Sequence, residues 1–225
     1  MARPRLDLLL TEALGRRLTI VVADAGFGKT TTLAGWAAGT PSAWYTVTPD
    51  DRVLATLARG LVDALRLRLP ALPADLAGIL AGTRGPDASG DESRSAQVAA
   101  ATLAQALDES LTRGLLVVLD DVHELGDGGG STAFLESLAL QAPPGLHLVV
   151  ASRREPQLRV DRLRGQGQVL DVDAADLRLD ADEVAGLIEA VGTTTPPGAA
   201  AAIHEACSGW PAAVRLAIEA LGRAP

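Results

Sequence analysis

A single cysteine, Cys207, leaves this 225-residue chain nothing from which to build a disulfide framework or a multi-cysteine metal site. Aromatic residues make up 3% of it, too few for a platform on which nucleic-acid bases stack. Twenty basic residues face 28 acidic ones, a formal net charge of −8, which argues against gripping a nucleic-acid backbone. The longest apolar runs, such as Leu115–Leu119, fall far short of a bilayer span. Asp7 and Glu12 interrupt the leucines of the N-terminus, which does not read as a signal peptide. The expectation is a cytoplasmic chain with no membrane partner and, by itself, no nucleic-acid partner. Hydrophobic residues at 48% and charged ones at 21% are ordinary globular proportions, so disorder and fibres are excluded as well.

Lysine is the scarcest of the basic residues: 19 of the 20 are Arg and one, Lys29, is Lys. A composition so biased toward Arg should keep Lys where a compact point charge is needed and a guanidinium fork is not equivalent. Lys29 stands in a glycine loop. The run Leu18–Ala23 (LTIVVA) is apolar and β-branched without polar alternation, as in a strand buried on both faces of a parallel sheet. Asp24, Ala25, Gly26, Phe27, Gly28, Lys29 and Thr30 follow, then Thr31, Thr32 and a helical stretch. Gly26 and Gly28 free the backbone N–H groups to curl around an anion, and the new helix adds unsatisfied donors and the positive end of its dipole. In such a loop Lys29 reaches the β- and γ-phosphates and the Thr30 hydroxyl ligates Mg²⁺. Three β-branched threonines open a helix poorly, at up to about 0.7 kcal/mol each against Ala, unless their hydroxyls face phosphate and metal. The competing reading is a plain strand-to-helix turn capped by Thr30. The pattern GxxxxGK[ST] opens here on Ala23 in place of Gly, which the chemistry tolerates if φ stays negative.

A second apolar run, Leu115–Leu119, ends in Asp120 and Asp121, at the sheet rim where ligands of open α/β folds sit. Asp120 is expected in the Mg²⁺ shell opposite Thr30, and Asp121 is placed to orient or deprotonate an attacking water. The alternative is a core strand running into an Asp-rich turn. His123, just beyond, reads as a partly solvated loop histidine. A third run, Leu146–Ala151, ends in Ser152-Arg153-Arg154, where Arg153 can report a γ-phosphate or simply pair with Glu155 or Asp161. Arg154 should face away and take a surface pairing.

Strands at Trp44–Val47 and Val169–Val172 bring the total to five. Their alternation with amphipathic helices predicts a parallel sheet wrapped by helices. Pro49-Asp50-Asp51 is expected to cap a long helix reaching Leu69, followed by a short helix at Ala74–Ala81. A mobile Gly/Asp/Ser segment is expected at Gly82–Glu92, then a helix at Ser95–Arg113 and a flexible Gly126–Gly130 loop. After Asp173 come three short helices, Asp180–Val191, Pro197–Cys207 and Pro211–Leu221, with Leu187, Ile188, Ile203, Val214, Leu216 and Ile218 as core candidates and Cys207 as a buried small hydrophobe. This divides the chain into a P-loop nucleotide-binding domain, residues 1–175, and a small helical lid, residues 176–225.

Together these motifs resemble the nucleotide-binding core of the STAND ATPases, and most closely that of the large LuxR-type, maltose-activator-like bacterial transcription regulators. The shared elements are Arg3-Pro4-Arg5-Leu6, the loop Ala23–Thr31, Asp120-Asp121-x-His123, Ser152-Arg153-x-x-Pro156 and Ser208-Gly209-Trp210-Pro211. The resemblance implies an ASCE-type P-loop NTPase sheet with the Ser152 strand between the phosphate-loop strand and the Asp120 strand. It implies adenine near Arg3, Pro4 and Arg5, with Pro211 packing on the base or ribose. It also implies a switch: an ADP-bound resting form, an ATP-bound form that self-associates to activate transcription, and slow hydrolysis that resets it. Members of the family continue into winged-helix, sensor and helix-turn-helix domains, so a chain of this extent is expected to be a fragment or a minimal version. Two other readings compete. A ring-forming AAA+-like ATPase would want Glu where Asp121 stands and an arginine finger; a non-hydrolysing nucleotide-binding scaffold would not need Lys29, Thr30, Asp120 and Asp121 intact.

Overall fold

The computed structural model describes residues 3–82, 92–192 and 194–223. Five strands, β1 (Leu18–Val22), β2 (Ser42–Thr46), β3 (Leu115–Asp120), β4 (Leu146–Ser152) and β5 (Val169–Val172), form one parallel sheet in the order β2-β3-β4-β1-β5. β4 lies between β1 and β3, with Val22 opposite Ser152 and Leu119 opposite Val150. This is the five-stranded P-loop sheet that the sequence predicts.

The unbroken apolar runs serve both faces. Leu115, Val117 and Leu119 point into one core with Ile20 and Val150; Leu116 and Val118 point into the other with Val21 and Val149. The first core is covered by α3 (Leu54–Arg66), α4 (Leu76–Gly82), α5 (Glu92–Ser110) and α6 (Gly130–Gln141), and contains the fully buried Phe134. The second is covered by α1 (Pro4–Ala13) and α2 (Lys29–Ala37), through Leu6, Leu10, Leu33 and Ala37. Helices α7 (Asp161–Gly165) and α8 (Ala174–Leu177) flank β5. They are too short to show a 3.6-residue pattern. The last three helices, α9 (Ala181–Val191), α10 (Ala199–Cys207) and α11 (Pro211–Gly222), enclose a small core of their own around Val184, Ile203, Val214 and Ile218.

Several expectations are corrected. The helix expected from Pro49 to Leu69 is two elements: a 3-10 turn at Pro49–Arg52, then α3, with Val53 extended between them. The Asp51 carboxylate is spent on the Thr48 amide and hydroxyl and on the Tyr45 hydroxyl, which closes the turn before a helix can pass through it. α5 runs from Glu92 to Ser110, earlier at both ends than expected, since the Leu111–Gly114 stretch turns toward β3. Leu216 is 66% exposed, because its place on α11 faces away from Val214 and Ile218. Cys207 is half-buried at the edge of that small core. Of the segment expected to be mobile, residues 83–91 lie outside the described residues. No described helix is long and apolar enough to cross a membrane.

One polar group sits deep in the second layer. His147 on β4 is 4% exposed, with Thr19 Oγ1 3.0 Å from its Nε2, the Arg16 carbonyl at its Nδ1 and Trp36 edge-on to its ring. Burial lowers its pKa below the usual value of 6.5. The unfolded chain therefore takes up this proton below pH 6.5 while the folded chain resists it, so stability must fall as pH drops through that region. Melting temperature is expected to decline between pH 7.5 and 5.5 in the native chain and to decline less in His147→Gln, measured by circular dichroism.

Candidate nucleotide-binding site

The motifs meet at the C-terminal rim of the sheet. β1 ends at Val22, the loop turns, and Gly28 caps α2 in the left-handed region at φ 75°. Gly26 takes φ 81°, a conformation side chains with Cβ rarely adopt. Ala23 is not among the positive-φ residues, so its methyl does not hinder the loop. The first amides of α2 have no intrahelical carbonyl to bond, and Ala25, Gly26, Thr30 and Thr31 are exposed to whatever approaches them.

Lys29 is 7% exposed and bent back on its own loop: Nζ donates to the Ala23 carbonyl at 2.6 Å and the Asp24 carbonyl at 3.1 Å. An ammonium has three N–H donors, so one is left for a further acceptor. Burial lowers the Lys29 pKa; Asp120, Asp121 and Asp24 oppose that shift and Arg153 adds to it. Those charges are thus the electrostatic surroundings of the lone lysine. Thr30 Oγ1 donates to Asp120 Oδ2 at 2.6 Å, and Asp120 Oδ1 accepts from the Asp121 amide at 3.0 Å. Asp121 has φ 59°, a left-handed conformation uncommon outside glycine, though Asp adopts it more readily than most residues.

Arg153 is exposed at the end of β4, with no hydrogen bond or ion pair to any described residue. Neither of the pairings expected for it forms; Glu155 pairs with Arg164 instead. The Arg154 side chain forms no ion pair among the described residues, and Arg154 lines a small cavity near His123. His123 is not the partly solvated loop histidine expected: its side chain is only 10% exposed, held in a 3-10 turn at Val122–Leu125.

The C-terminal helices close over the loop. The Ala212 amide donates to the Gly26 carbonyl at 3.0 Å, and a Cβ on Gly26 would meet the Ala212 Cβ at 2.8 Å. Trp210 lies beside Phe27, ring centroids 6.4 Å apart, and the Arg178 guanidinium stands 5.8 Å over the Phe27 ring. Pro211, at the first position of α11, is half-buried beside this contact. Arg3 ties the same parts together from below. Its Nε donates to Glu183 Oε1 at 3.0 Å, Nη2 to the Leu177 and Arg178 carbonyls at 3.0 Å, and Nη1 to Thr32 Oγ1 at 3.4 Å. Pro4 is exposed at the start of α1, and Arg5 donates to the Asp176 carbonyl at 2.6 Å. Lys29, Thr30, Asp120, Asp121 and Arg153 are therefore brought to one place, while Arg3, Pro4 and Pro211 lie at the seam with the C-terminal helices.

The sequence assigns no role to Glu183 and Arg178 at that seam, and Trp210 enters it only as part of the Ser208–Pro211 motif. Asp180-x-x-Glu183 does announce a capping box. Nothing local announces that Glu183 also receives an arginine 180 residues away.

No protein-family model matches the chain. It is 32% identical over 223 residues to the serine/threonine-protein kinase PknK of Mycobacterium tuberculosis, across 96% of this chain and 19% of that one. To the HTH-type transcriptional regulator MalT of Cronobacter sakazakii it is 28% identical over 223 residues, again across 96% of this chain and 23% of the other. It thus spans about a fifth of the length of these curated relatives. Among solved structures, a STAND protein with a tetratricopeptide repeat sensor from Pyrococcus horikoshii superposes with a TM-score of 0.66 at 18% identity, over 97% of this chain and 30% of that one. The fold is that of a STAND P-loop ATPase core. A Walker-type ATPase of Pyrococcus abyssi also superposes on this chain, with a TM-score of 0.53 at 17% identity, over 99% of this chain and 68% of that one.

Removing one partner of a buried ion pair leaves the other uncompensated, typically at about 3–5 kcal/mol. Arg3 and Glu183 have side chains 11% and 5% exposed. Glu183→Ala is expected to cost about that much in urea denaturation. It should also speed proteolysis of the C-terminal helices.

Proposed function

We propose that this chain is an ATP/ADP-binding switch with slow Mg²⁺-dependent hydrolysis, the nucleotide-binding part of a transcription activator. The observation that carries the reading is the meeting of the only lysine, a Thr–Asp hydroxyl–carboxylate pair and a second aspartate at a glycine-capped helix N-terminus. The similarity to MalT, a transcriptional regulator, supports a regulatory setting. The similarity to a STAND protein's fold supports a P-loop ATPase.

In this reading the loop amides of Ala25, Gly26, Phe27 and Gly28 and the first amides of α2, including those of Thr30 and Thr31, cradle the phosphate tail. Lys29 exchanges its carbonyl acceptors for β/γ-phosphate oxygens, a gain because a charged acceptor makes a stronger bond than a neutral carbonyl. Thr30 and Asp120 offer the hard oxygen donors that Mg²⁺ prefers, and the 2.6 Å bond between them brings two such donors together. When bound there, the ion would neutralise charge on the phosphates. Asp121 orients and accepts a proton from the attacking water, and Arg153, uncommitted among the described residues, meets the γ-phosphate. Adenine would lie toward Arg3, Pro4 and Pro211. Residues 176–225 act as the lid over a nucleotide domain of residues 1–175, and nucleotide exchange at their seam would govern self-association.

The test is thermal. ATP or ADP with Mg²⁺ at about 100 times Kd adds roughly 2.7 kcal/mol, which for a chain of this size raises Tm by about 5–10 °C. Lys29→Ala should abolish the rise, whatever its own baseline Tm. A rise that survives the substitution, or none in the native chain, would overturn the reading.

A further inference from the structure

His123 is the residue that the proposed site leaves unexplained. Its side chain is only 10% exposed, and its Nδ1 is buried without a hydrogen-bond partner. A buried, unmade hydrogen bond of this kind costs about 1–3 kcal/mol, so a fold that keeps one calls for a reason.

Geometry supplies it. Nδ1 lies 3.7 Å from Asp121 Oδ1, beyond hydrogen-bond distance but within reach of a sub-ångström adjustment of the loop. Nε2 lies 3.5 Å from Glu124 Oε1, so the ring is flanked by carboxylates on both edges. The 3-10 turn that carries it is fastened from outside by Arg52, whose Nε donates to the Glu124 carbonyl at 2.9 Å. Beside the ring is a cavity of about 20 Å³, room for no more than a water molecule, which His123 lines together with Thr132 and Ser152. Among the described residues, Thr132 Oγ1 is the other buried side-chain polar atom without a partner. The ring therefore borders both a small space and the Asp121 carboxylate. Asp121 itself is held at φ 59°, a backbone conformation that persists where the surrounding structure over-determines it. Catalytic hydrogen bonds are commonly long in ligand-free proteins and tighten when substrate binds.

We propose that His123 is a positioning residue for Asp121: its Nδ1–H donates to Asp121 Oδ1 once the loop tightens, fixing the carboxylate that receives the proton of the attacking water. The proposal deepens the ATPase reading and rests on it. His123 touches neither phosphate nor metal; it acts through Asp121.

Two measurements test it. The chain has three histidines, His123, His147 and His204, so long-range ¹H–¹⁵N spectra of the rings are simple, and His123→Gln identifies the His123 signals by their loss. In the nucleotide-free protein, Nδ1 of His123 is expected to carry the proton and to shift in Asp121→Asn, with His147 and His204 unmoved. An unprotonated Nδ1, or signals indifferent to Asp121→Asn, overturns the proposal without reference to hydrolysis. In single-turnover assays with Mg·ATP, His123→Ala is expected to slow hydrolysis about tenfold while Kd for ATP changes less than twofold. His123→Gln, which retains a donor, should recover part of the rate, and His123→Ala should add nothing in an Asp121→Asn background. Equal losses in rate and affinity, or effects that multiply with Asp121→Asn, overturn it. A native chain that binds Mg·ATP and never hydrolyses it removes the ATPase reading and this role with it; the ring spectra still report whether the two side chains are coupled.

Discussion

One ammonium group and the carbonyls that hold it organise this protein. Lys29 is buried at a point where its charge costs desolvation energy, and the Ala23 and Asp24 carbonyls together with three nearby aspartates offset that cost. The arrangement is stable yet replaceable, since every acceptor now serving Lys29 is neutral and a phosphate is not. Much of the surrounding structure can be read as support for that exchange. β1 delivers the loop, β3 delivers the opposing carboxylates, and β4, lying between them, delivers Arg153.

The second constraint is the seam with the C-terminal helices. Arg3 bridges α1, α2 and α9, while Ala212 and Trp210 rest against the outer side of the phosphate loop. A ligand that rearranges Gly26 and Lys29 must therefore act on α11 as well. That linkage would give the proposed switch a physical path, with part of the energy of phosphate binding spent on the contacts of a neighbouring helical unit.

The parts of the fold legible in the sequence are those governed by local pattern. Unbroken apolar runs mark strands buried on both faces, and Gly26 and Gly28 mark backbone that must turn left-handed. Lys29 stands out by scarcity alone. What was not legible depends on partners far along the chain. The Tyr45–Asp51 bond that splits the expected helix at Val53, and Glu183 waiting for Arg3, cannot be found by periodicity. His123 is the clearest case. Its loop sequence reads as solvated, but packing of the Val122–Leu125 turn buries it next to Asp121.

Because Lys29 is the only lysine, ¹⁵N labelling at lysine Nζ places one observable on the central interaction. The account predicts a single ammonium resonance, slowed in exchange by its two carbonyl acceptors, that moves on titration with Mg·ADP and Mg·ATP and then shows coupling to phosphate ³¹P. A resonance that stays at its ligand-free position while nucleotide demonstrably binds would place the phosphates elsewhere and contradict it.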